Sequence, residues 1–362
     1  MTLEELRRKI DTIDTELLRL LNERADVVHE VGALKKREGL EIYAPEREDA
    51  LLKSLVVKSQ GRLTEKSIRA IYREIMSAAL ALEEDLKIAY LGPPGTWTHQ
   101  ASIGKFGHSV EYLPQPNLAD VFDQVTRRLA DYGVVPIENS TEGAVTHTLD
   151  LFADSPLKIC AQIFMPIENN LMAKCPREEI KAFYSHPQVF AQCRQWLGLN
   201  FHTTPTIETS STAAAAEIAA REPGAAVLGG SLLAEMHGLT ILERSIQDIA
   251  SNTTRFLVIS PRTCPSTGKD RTSLMFSVRD EPGSLHKALE PFEEFHINLS
   301  KIESRPSKRR AWEYFFFVDV SGHCEDEELV SALRQLEQHC SFVKLLGSYP
   351  DTGRLGENDT DN

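Results

Sequence analysis

Glu138, Asn139, Ser140 and Thr141 are four consecutive side chains that donate or accept hydrogen bonds. They follow the apolar run Gly133 to Ile137, which reads as a buried strand, and they precede Gly143 and a helix. That places them at the carboxyl end of a strand, where open α/β sheets hold their ligands. They suit a small polar substrate. The same pattern fits a plain helix N-cap, with Ser140 or Thr141 capping. A second group is cationic. Arg24 interrupts a heptad seam otherwise made of Leu3, Leu6, Ile10, Ile13, Leu17, Leu20, Val27, Val31 and Leu34. A guanidinium there must meet an anion, either a ligand or a carboxylate such as Glu48 or Glu83 acting as a register device. Lys35, eleven residues on, shares that helix face. Arg7 lies seventeen residues before Arg24, about 25 Å away along the axis. It could reach the same small ligand only from an antiparallel helix of a second subunit.

The elements that must position these residues fall into three stretches. The chain has 362 residues, and at roughly 100–200 residues per domain it needs two or three domains. Residues 1–86 read as all-helical. A first helix covers residues 3–34, about 50 Å at 1.5 Å per residue, and further helices cover 45–60 and 64–86. Residues 87–262 alternate strands with helices, which argues a parallel-type sheet in two lobes. There the strand 87–91 runs through a Gly/Pro turn to a helix start at Thr96 or Thr98, a ready anion site. Residues 261–269 read as a linker. Residues 270–350 read as βαββαβ, a ferredoxin-like α+β order, with strands at 272–278, 297–303, 312–320 and 342–347 and helices at 283–295 and 326–339. The polar tail after Pro350 is expected to be disordered.

Net charge is -13, which argues against a general nucleic-acid binder. Cations for an anionic substrate must be concentrated locally against that background. The six cysteines form no CxxC, and no His cluster has metal-ligand spacing. Free thiols in a reducing cytosol are expected, and no metal site. No run of about 20 apolar residues offers a membrane span, and the acidic start Met-Thr-Leu-Glu-Glu is unlike a signal peptide. A cytoplasmic protein is expected.

Leu6-Arg-Arg-Lys-Ile-Asp-Thr-Ile-Asp14, Leu17-Leu-Arg-Leu-Leu-Asn-Glu-Arg24, Val31-Gly-Ala-Leu-Lys35 and Pro45-Glu-Arg-Glu48 resemble the all-helical chorismate mutases. The resemblance implies an intertwined homodimer that rearranges chorismate to prephenate. Arg7 would come from the partner subunit, with Arg24, Lys35, Arg47 and Glu48 completing the site. The reaction is a unimolecular rearrangement, so the protein's task is to compact a dicarboxylate and stabilise charge on the breaking ether oxygen. Ala44, Ala79 and Glu83 depart from the family pattern, with Glu83 standing where others have Gln. Glu83 can donate to the ether oxygen only when protonated. Mutase activity is therefore expected to fall as pH rises.

Gly92-Pro-x-Gly-Thr96, Pro136-Ile-Glu-Asn-Ser140, Glu142-Gly143, Thr148-Leu-Asp150, Ser185-His-Pro-Gln188, Gln192-Cys193 and Thr254-Arg-Phe256 occur in the order found in prephenate dehydratases. That family folds as two α/β lobes and converts prephenate to phenylpyruvate without cofactor or metal. By resemblance, Thr254 meets the leaving hydroxyl, and Asn139, Ser140, Thr96 and Gln192 bind substrate. Glu138 is either the acid or a partner of Asn139 or Arg255. Arg255 anchors a carboxylate if it points inward; otherwise it forms a structural salt bridge. His186 before Pro187 reads as structural more readily than as an acid/base.

Pro282-Gly-Ser-Leu285, Ile297-Asn-Leu299 and Glu303-Ser-Arg-Pro306 resemble the ACT domain that binds phenylalanine at a subunit interface. Gly283, Ser284, Leu285, Asn298, Glu303, Ser304 and Arg305 would contact the effector. The whole chain thus resembles the bacterial bifunctional chorismate mutase/prephenate dehydratases. The expected architecture is a helical dimeric mutase domain (1–86), a two-lobed α/β dehydratase domain (87–262) and a ferredoxin-like regulatory domain (270–350). Expected ligands are chorismate, prephenate and inhibitory L-phenylalanine, in a homodimer or higher homo-oligomer with neither nucleic acid nor membrane. The alternatives are a dehydratase acting on prephenate or its amino analogue arogenate with a lapsed mutase arm, and a non-catalytic sensor.

Overall fold

The heptad seam forms α1 (Leu3–Glu38). It runs four residues past the expected end, because Lys35, Lys36 and Arg37 complement the negative end of the helix dipole. Pro45 opens α2 (Pro45–Lys58) from a first-turn position, where its missing N–H costs nothing. The Thr64 hydroxyl accepts from the Ser67 amide at 3.2 Å and so caps α3 (Glu65–Glu83). Within the same compact unit, the segment 106–111 packs on α3, with the His108 and Ser109 amides bound by Glu74 and Ser77. The computed structural model describes residues 1–38, 43–83, 85–307 and 313–353. Trp312, read above as a strand start, and the tail from residue 354 lie outside these.

The second unit begins as a strand-and-helix alternation: β1 (Lys87–Leu91), α4 (Trp97–Phe106), β2 (Glu111–Gln115), α5 (Leu118–Thr126), β3 (Tyr132–Asn139), β4 (Gly143–Ala144), α6 (Thr146–Asp154) and β5 (Lys158–Pro166). The chain then builds a second lobe from β6 (Asn170–Ala173), β7 (Ala182–Ser185), α7 (Pro187–Gln192), α8 (Arg194–Asn200), β8 (Thr206–Glu208), α9 (Thr212–Arg221), β9 (Ala225–Gly229), α10 (Leu232–His237) and β10 (Thr240–Glu243). It returns to the first lobe as β11 (Thr253–Ser260). The two sheets have orders β2-β1-β3-β11-β5 and β10-β6-β9-β7-β8. They are mixed rather than purely parallel. β1 and β3 are parallel, but β11 lies antiparallel between β3 and β5. A strand that re-enters from the second lobe comes back along the sheet in the opposite direction.

β11 starts three residues earlier than the apolar run suggests, so Thr254 and Arg255 lie inside a paired strand and point to opposite faces. Thr254 is opposite Asn139, and Arg255 is opposite Glu138.

The last stretch folds as β12 (Asp270–Ser277), α11 (Ser284–Glu294), β13 (Leu299–Pro306), β14 (Tyr314–Ser321), α12 (Glu327–His339) and β15 (Phe342–Pro350), with sheet order β13-β14-β12-β15. Strand alternation splits its apolar residues between two cores. Leu274, Phe276, Val318 and Val320 pack with Ala288, Leu329 and Leu336 of the helices. Met275, Phe315, Phe317, Leu346 and Tyr349 join Phe152, Ile159 and Leu257 in the core of the first lobe. This third sheet is therefore a structural layer of the first lobe.

Gly347 marks the closest approach. Its φ is +151°, and a Cβ there would collide with the Ile159 backbone in β5. Gly347→Ala should destabilise this junction by about 3 kcal/mol and lower the thermal midpoint by several degrees in a fluorescence melt. An unchanged midpoint would mean that the two layers do not depend on this contact.

Candidate functional site

In the helical unit, Gly32 is the sole buried residue of α1. A Cβ at Gly32 would stand 3.0 Å from Cγ of Glu83. That close approach brings Lys35 Nζ within 3.2 Å of the Glu83 carboxylate, and Glu83 is only 8% exposed. Two of the expected mutase residues, 48 positions apart in sequence, are thus together. Arg24 and Glu48 are half-buried, while Arg47 and Arg7 are exposed. Arg7 stays remote from the Lys35–Glu83 pair within one chain, as helix rise requires. The apolar seam is uncovered: Leu3, Ile10, Ile13 and Leu17 are each more than half exposed.

In the two-lobed unit, Thr254 is 8% exposed, and its Oγ1 accepts a 2.7 Å hydrogen bond from Nδ2 of Asn139. The orientation of Asn139 is fixed from behind. Its Oδ1 accepts from the Thr141 hydroxyl at 2.6 Å and from the Thr141 and Glu142 amides. Its NH2 must therefore face Thr254 and Asn252, whose Oδ1 lies at 2.9 Å. Because the Thr254 oxygen is accepting, its own proton remains available for donation.

Glu142 joins the lobes. It accepts from Nε2 of Gln192 at 3.2 Å and from the Gln188 amide, both on α7. Gln192 in turn accepts from Asn169 at 3.0 Å. Glycines allow the facing surfaces to close. A Cβ at Gly95, before α4, would meet Leu233 and lie 3.8 Å from Cβ of Ala213 in the first turn of α9, and one at Gly230 would meet Gln100 and Trp97. The amino ends of α4 and α9 converge there, giving the positive backbone potential that suits a carboxylate.

Several expected residues do other work. The Thr96 hydroxyl donates to the Leu91 carbonyl at 2.9 Å and accepts from the His99 amide, which makes it a cap. Ser140 continues the β3–β11 ladder, accepting from the Thr253 amide at 2.9 Å. His186 caps α7 through Nδ1. Cys193 is buried, and burial, followed by Asp248, pushes its thiol up to about 12, so it fills space.

For Arg255 the structure shows the salt bridge of the two alternatives, and for Glu138 it shows a partner the sequence reading did not name. Both side chains face away from Thr254. Arg255 is buried and pairs with Asp319 and with the Tyr349 hydroxyl at 2.8 Å. Glu138 pairs with Lys301 at 2.7 Å. Period-two alternation forbids a strand from presenting neighbouring side chains to the same cleft.

Comparison with known proteins matches residues 6–84 to chorismate mutase type II, 88–264 to prephenate dehydratase and 272–338 to the ACT domain. The bifunctional chorismate mutase/prephenate dehydratase of Aquifex aeolicus (strain VF5) is 47% identical over 96% of this chain and 98% of its own. That of Neisseria gonorrhoeae (strain ATCC 700825 / FA 1090) is 43% identical, with the same coverage. This chain belongs to the bifunctional chorismate mutase/prephenate dehydratase family.

Among solved structures, a prephenate dehydratase from Arthrobacter aurescens in complex with L-Phe is 33% identical, with a TM-score of 0.68 over 74% of this chain and 90% of that one. GqqA, described as a novel type of quorum quenching acylase, has the same TM-score at 28% identity, over 74% of this chain and 98% of that one. The dehydratase fold alone therefore does not fix an activity. The bifunctional family is indicated by the full-length matches.

For a bifunctional mutase/dehydratase, the regulatory segment is laid out as follows. Gly283 caps α11 at φ +84° and is exposed, Ser284 and Leu285 are half-buried, and Asn298 and Ser304 are exposed. Glu303 and Arg305 lie on the opposite side of β13 from Ser304, and Arg305 pairs with Asp150 of the dehydratase lobe at 3.2 Å. Arg305 is thus a junction residue in this chain, a correction to its expected effector contact. Sequence reasoning gave no role to Glu142, Asn169, Gln188 or Asn252. Glu142 and Gln188 sat within quoted motifs, which was the available signal, and Asn252 lies two residues before the Thr254-Arg-Phe256 motif.

Thr254→Ala should cut phenylpyruvate formation from prephenate by roughly two orders of magnitude and leave chorismate loss unchanged; Thr254→Ser should retain most turnover. Normal turnover in Thr254→Ala would contradict the geometry. The buried pair also has a pH signature. Burial alone would raise the Asp319 pKa, but the Arg255 charge and the Ser273 hydrogen bond outweigh it and hold it below the ordinary value. The stability this contributes is complete above the unfolded value of ~3.9 and is lost as pH falls through the lower folded value. Melts of the wild type should therefore weaken more steeply on acidification than melts of Asp319→Asn. Parallel curves would contradict this.

Proposed function

We propose that the family's two reactions are divided between the sites built above. Chorismate is rearranged to prephenate in the helical unit, and prephenate is converted to phenylpyruvate, carbon dioxide and water in the lobed unit. In the first reaction one carbon–oxygen bond breaks as one carbon–carbon bond forms, and the cations hold the two carboxylates close. Glu83 holds Lys35 until a substrate carboxylate takes it over, and Glu83, once protonated, donates to the ether oxygen. Arg24, Arg47 and Glu48 complete the pocket with Arg7 of the partner subunit. The bare apolar seam of α1 supports a homodimer, because water-exposed Leu and Ile along such a helix favour a second copy.

In the second reaction the ring carboxylate leaves as carbon dioxide, and its electron pair enters the ring. The ring hydroxyl departs as water with a proton passed on by Thr254, which takes one back from solvent. The hydrogen bond from Asn139 to Thr254 carries this reading, because it stabilises negative charge on Oγ1 as the proton moves. Gln192, held by Glu142 and Asn169, binds substrate from the second lobe. The helix amino ends of α4 and α9 take the carboxylate role expected of Arg255. Phenylalanine binds the regulatory domain around Gly283, Ser284, Leu285, Asn298 and Ser304 and inhibits the dehydratase, with Glu303 left on the junction side of β13. The free cysteines fit a reducing cytoplasm.

Purified protein given chorismate alone should yield phenylpyruvate, and less of it when phenylalanine is added. Persisting chorismate with active prephenate turnover would instead favour a lapsed mutase arm. Glu83→Ala should lower chorismate turnover about tenfold or more and leave prephenate turnover unchanged. Unchanged chorismate turnover would remove Glu83 from the chemistry.

A further inference from the structure

Four charged residues form a square between the dehydratase sheet and the regulatory sheet. Glu138 and Arg255 are direct cross-strand neighbours on β3 and β11. Lys301 and Asp319 are direct cross-strand neighbours on β13 and β14. Across the junction the signs are complementary, Glu138 with Lys301 at 2.7 Å and Arg255 with Asp319. Ser273 and Tyr349 add hydrogen bonds to the buried pair, while Nε of Arg255 stays buried without a partner. The residues next in sequence on the dehydratase side, Asn139 and Thr254, are the hydrogen-bonded couple of the reaction site. Each corner on that side is thus one peptide from a catalytic side chain, about 3.8 Å between Cα atoms.

Both strand pairs are irregular at the square. The β11–β3 register shifts between Arg255 and Phe256, and the β13–β14 register shifts between Leu299 and Lys301. Bulged strands can be displaced locally without unzipping a ladder. A cavity of about 410 Å³ borders Glu138, Arg255 and Lys301, so these side chains have room to move. Its cations are already matched by Glu138, Asp319 and Asp351. The cavity therefore has no surplus positive charge to mark it as an anion site.

We propose that this square is the coupling element of the enzyme. Lys301 and Asp319 are positioning residues that act through Glu138 and Arg255 to set the geometry of Asn139 and Thr254, and a change in the regulatory sheet reaches the reaction site by this route. The inhibitory part of the proposal rests on the reading that phenylalanine binds the regulatory domain.

The test uses the full chain with Lys301→Met, Lys301→Arg and Asp319→Asn. Near-ultraviolet circular dichroism on each preparation reports folded enzyme. The fold-inhibition by saturating phenylalanine does not depend on how much of a preparation is active, and calorimetry reports phenylalanine binding. Asp319→Asn should lower the dehydratase kcat about tenfold, a usual size for coupling between sites, with a smaller change in KM and normal mutase turnover. Lys301→Met should bind phenylalanine yet lose most of the inhibition, and Lys301→Arg should restore it. Wild-type kcat in Asp319→Asn together with wild-type inhibition in Lys301→Met would overturn the proposal. If the wild type neither binds nor responds to phenylalanine, the sensor reading fails. The kcat of Asp319→Asn then decides the positioning role alone, a drop upholding it and a wild-type value overturning it. Should Asp319→Asn fail to fold, loss of inhibition in Lys301→Met with rescue by Lys301→Arg upholds the square, and retained inhibition overturns it.

Discussion

The buried ion pair between Arg255 and Asp319 constrains more of this molecule than any other contact. A guanidinium that is 5% exposed cannot stand without an anion, and removing one member of such a pair commonly costs about 3–5 kcal/mol. The dehydratase lobe therefore cannot bury this face of β11 unless the regulatory sheet supplies Asp319. The surrounding core makes the same demand, because Phe152, Ile159 and Leu257 pack against Met275, Phe317 and Tyr349. Strand alternation turns the constraint into function. With Arg255 committed to the regulatory side, Thr254 is committed to the cleft, and the same holds for Glu138 and Asn139.

The helical unit obeys a different constraint. Its first helix buries almost none of its own apolar seam, so little of that seam's hydrophobic energy is realised within one chain. Only at Gly32 does α1 come close enough to α3 to bury a charged couple, Lys35 with Glu83. A cation held by a displaceable carboxylate suits a site whose substrate brings carboxylates of its own.

Much of this architecture is legible in the amino-acid sequence, for identifiable reasons. The alternating three-and-four spacing from Leu3 to Leu34 is local information, and α1 follows it. The βαββαβ order is likewise a pattern of local periods. The run of motifs from Gly92 to Phe256 carries the family, and with it the choice of Asn139 and Thr254, though not the hydrogen bond between them. What the sequence does not carry is the direction of a side chain on a strand. Period two says that Thr254 and Arg255 diverge, but which of them meets the cleft depends on Asp319, 64 residues away. Ser140 and Thr96 look like ligand groups because hydroxyls at strand ends serve both ligands and backbone, and here the backbone takes them. The return of β11 against β3 depends on where the second lobe releases the chain, which no local pattern encodes.

The account turns on one claim, that Asp319 acts on the reaction through Thr254. A double-mutant cycle on dehydratase kcat/KM with Thr254→Ser and Asp319→Asn measures that link directly, because residues acting through one another are not additive. The cycle should close with a coupling of about 1 kcal/mol or more, beyond the few tenths expected of independent sites. Strict additivity would contradict it and leave the Arg255–Asp319 pair as support for the fold alone.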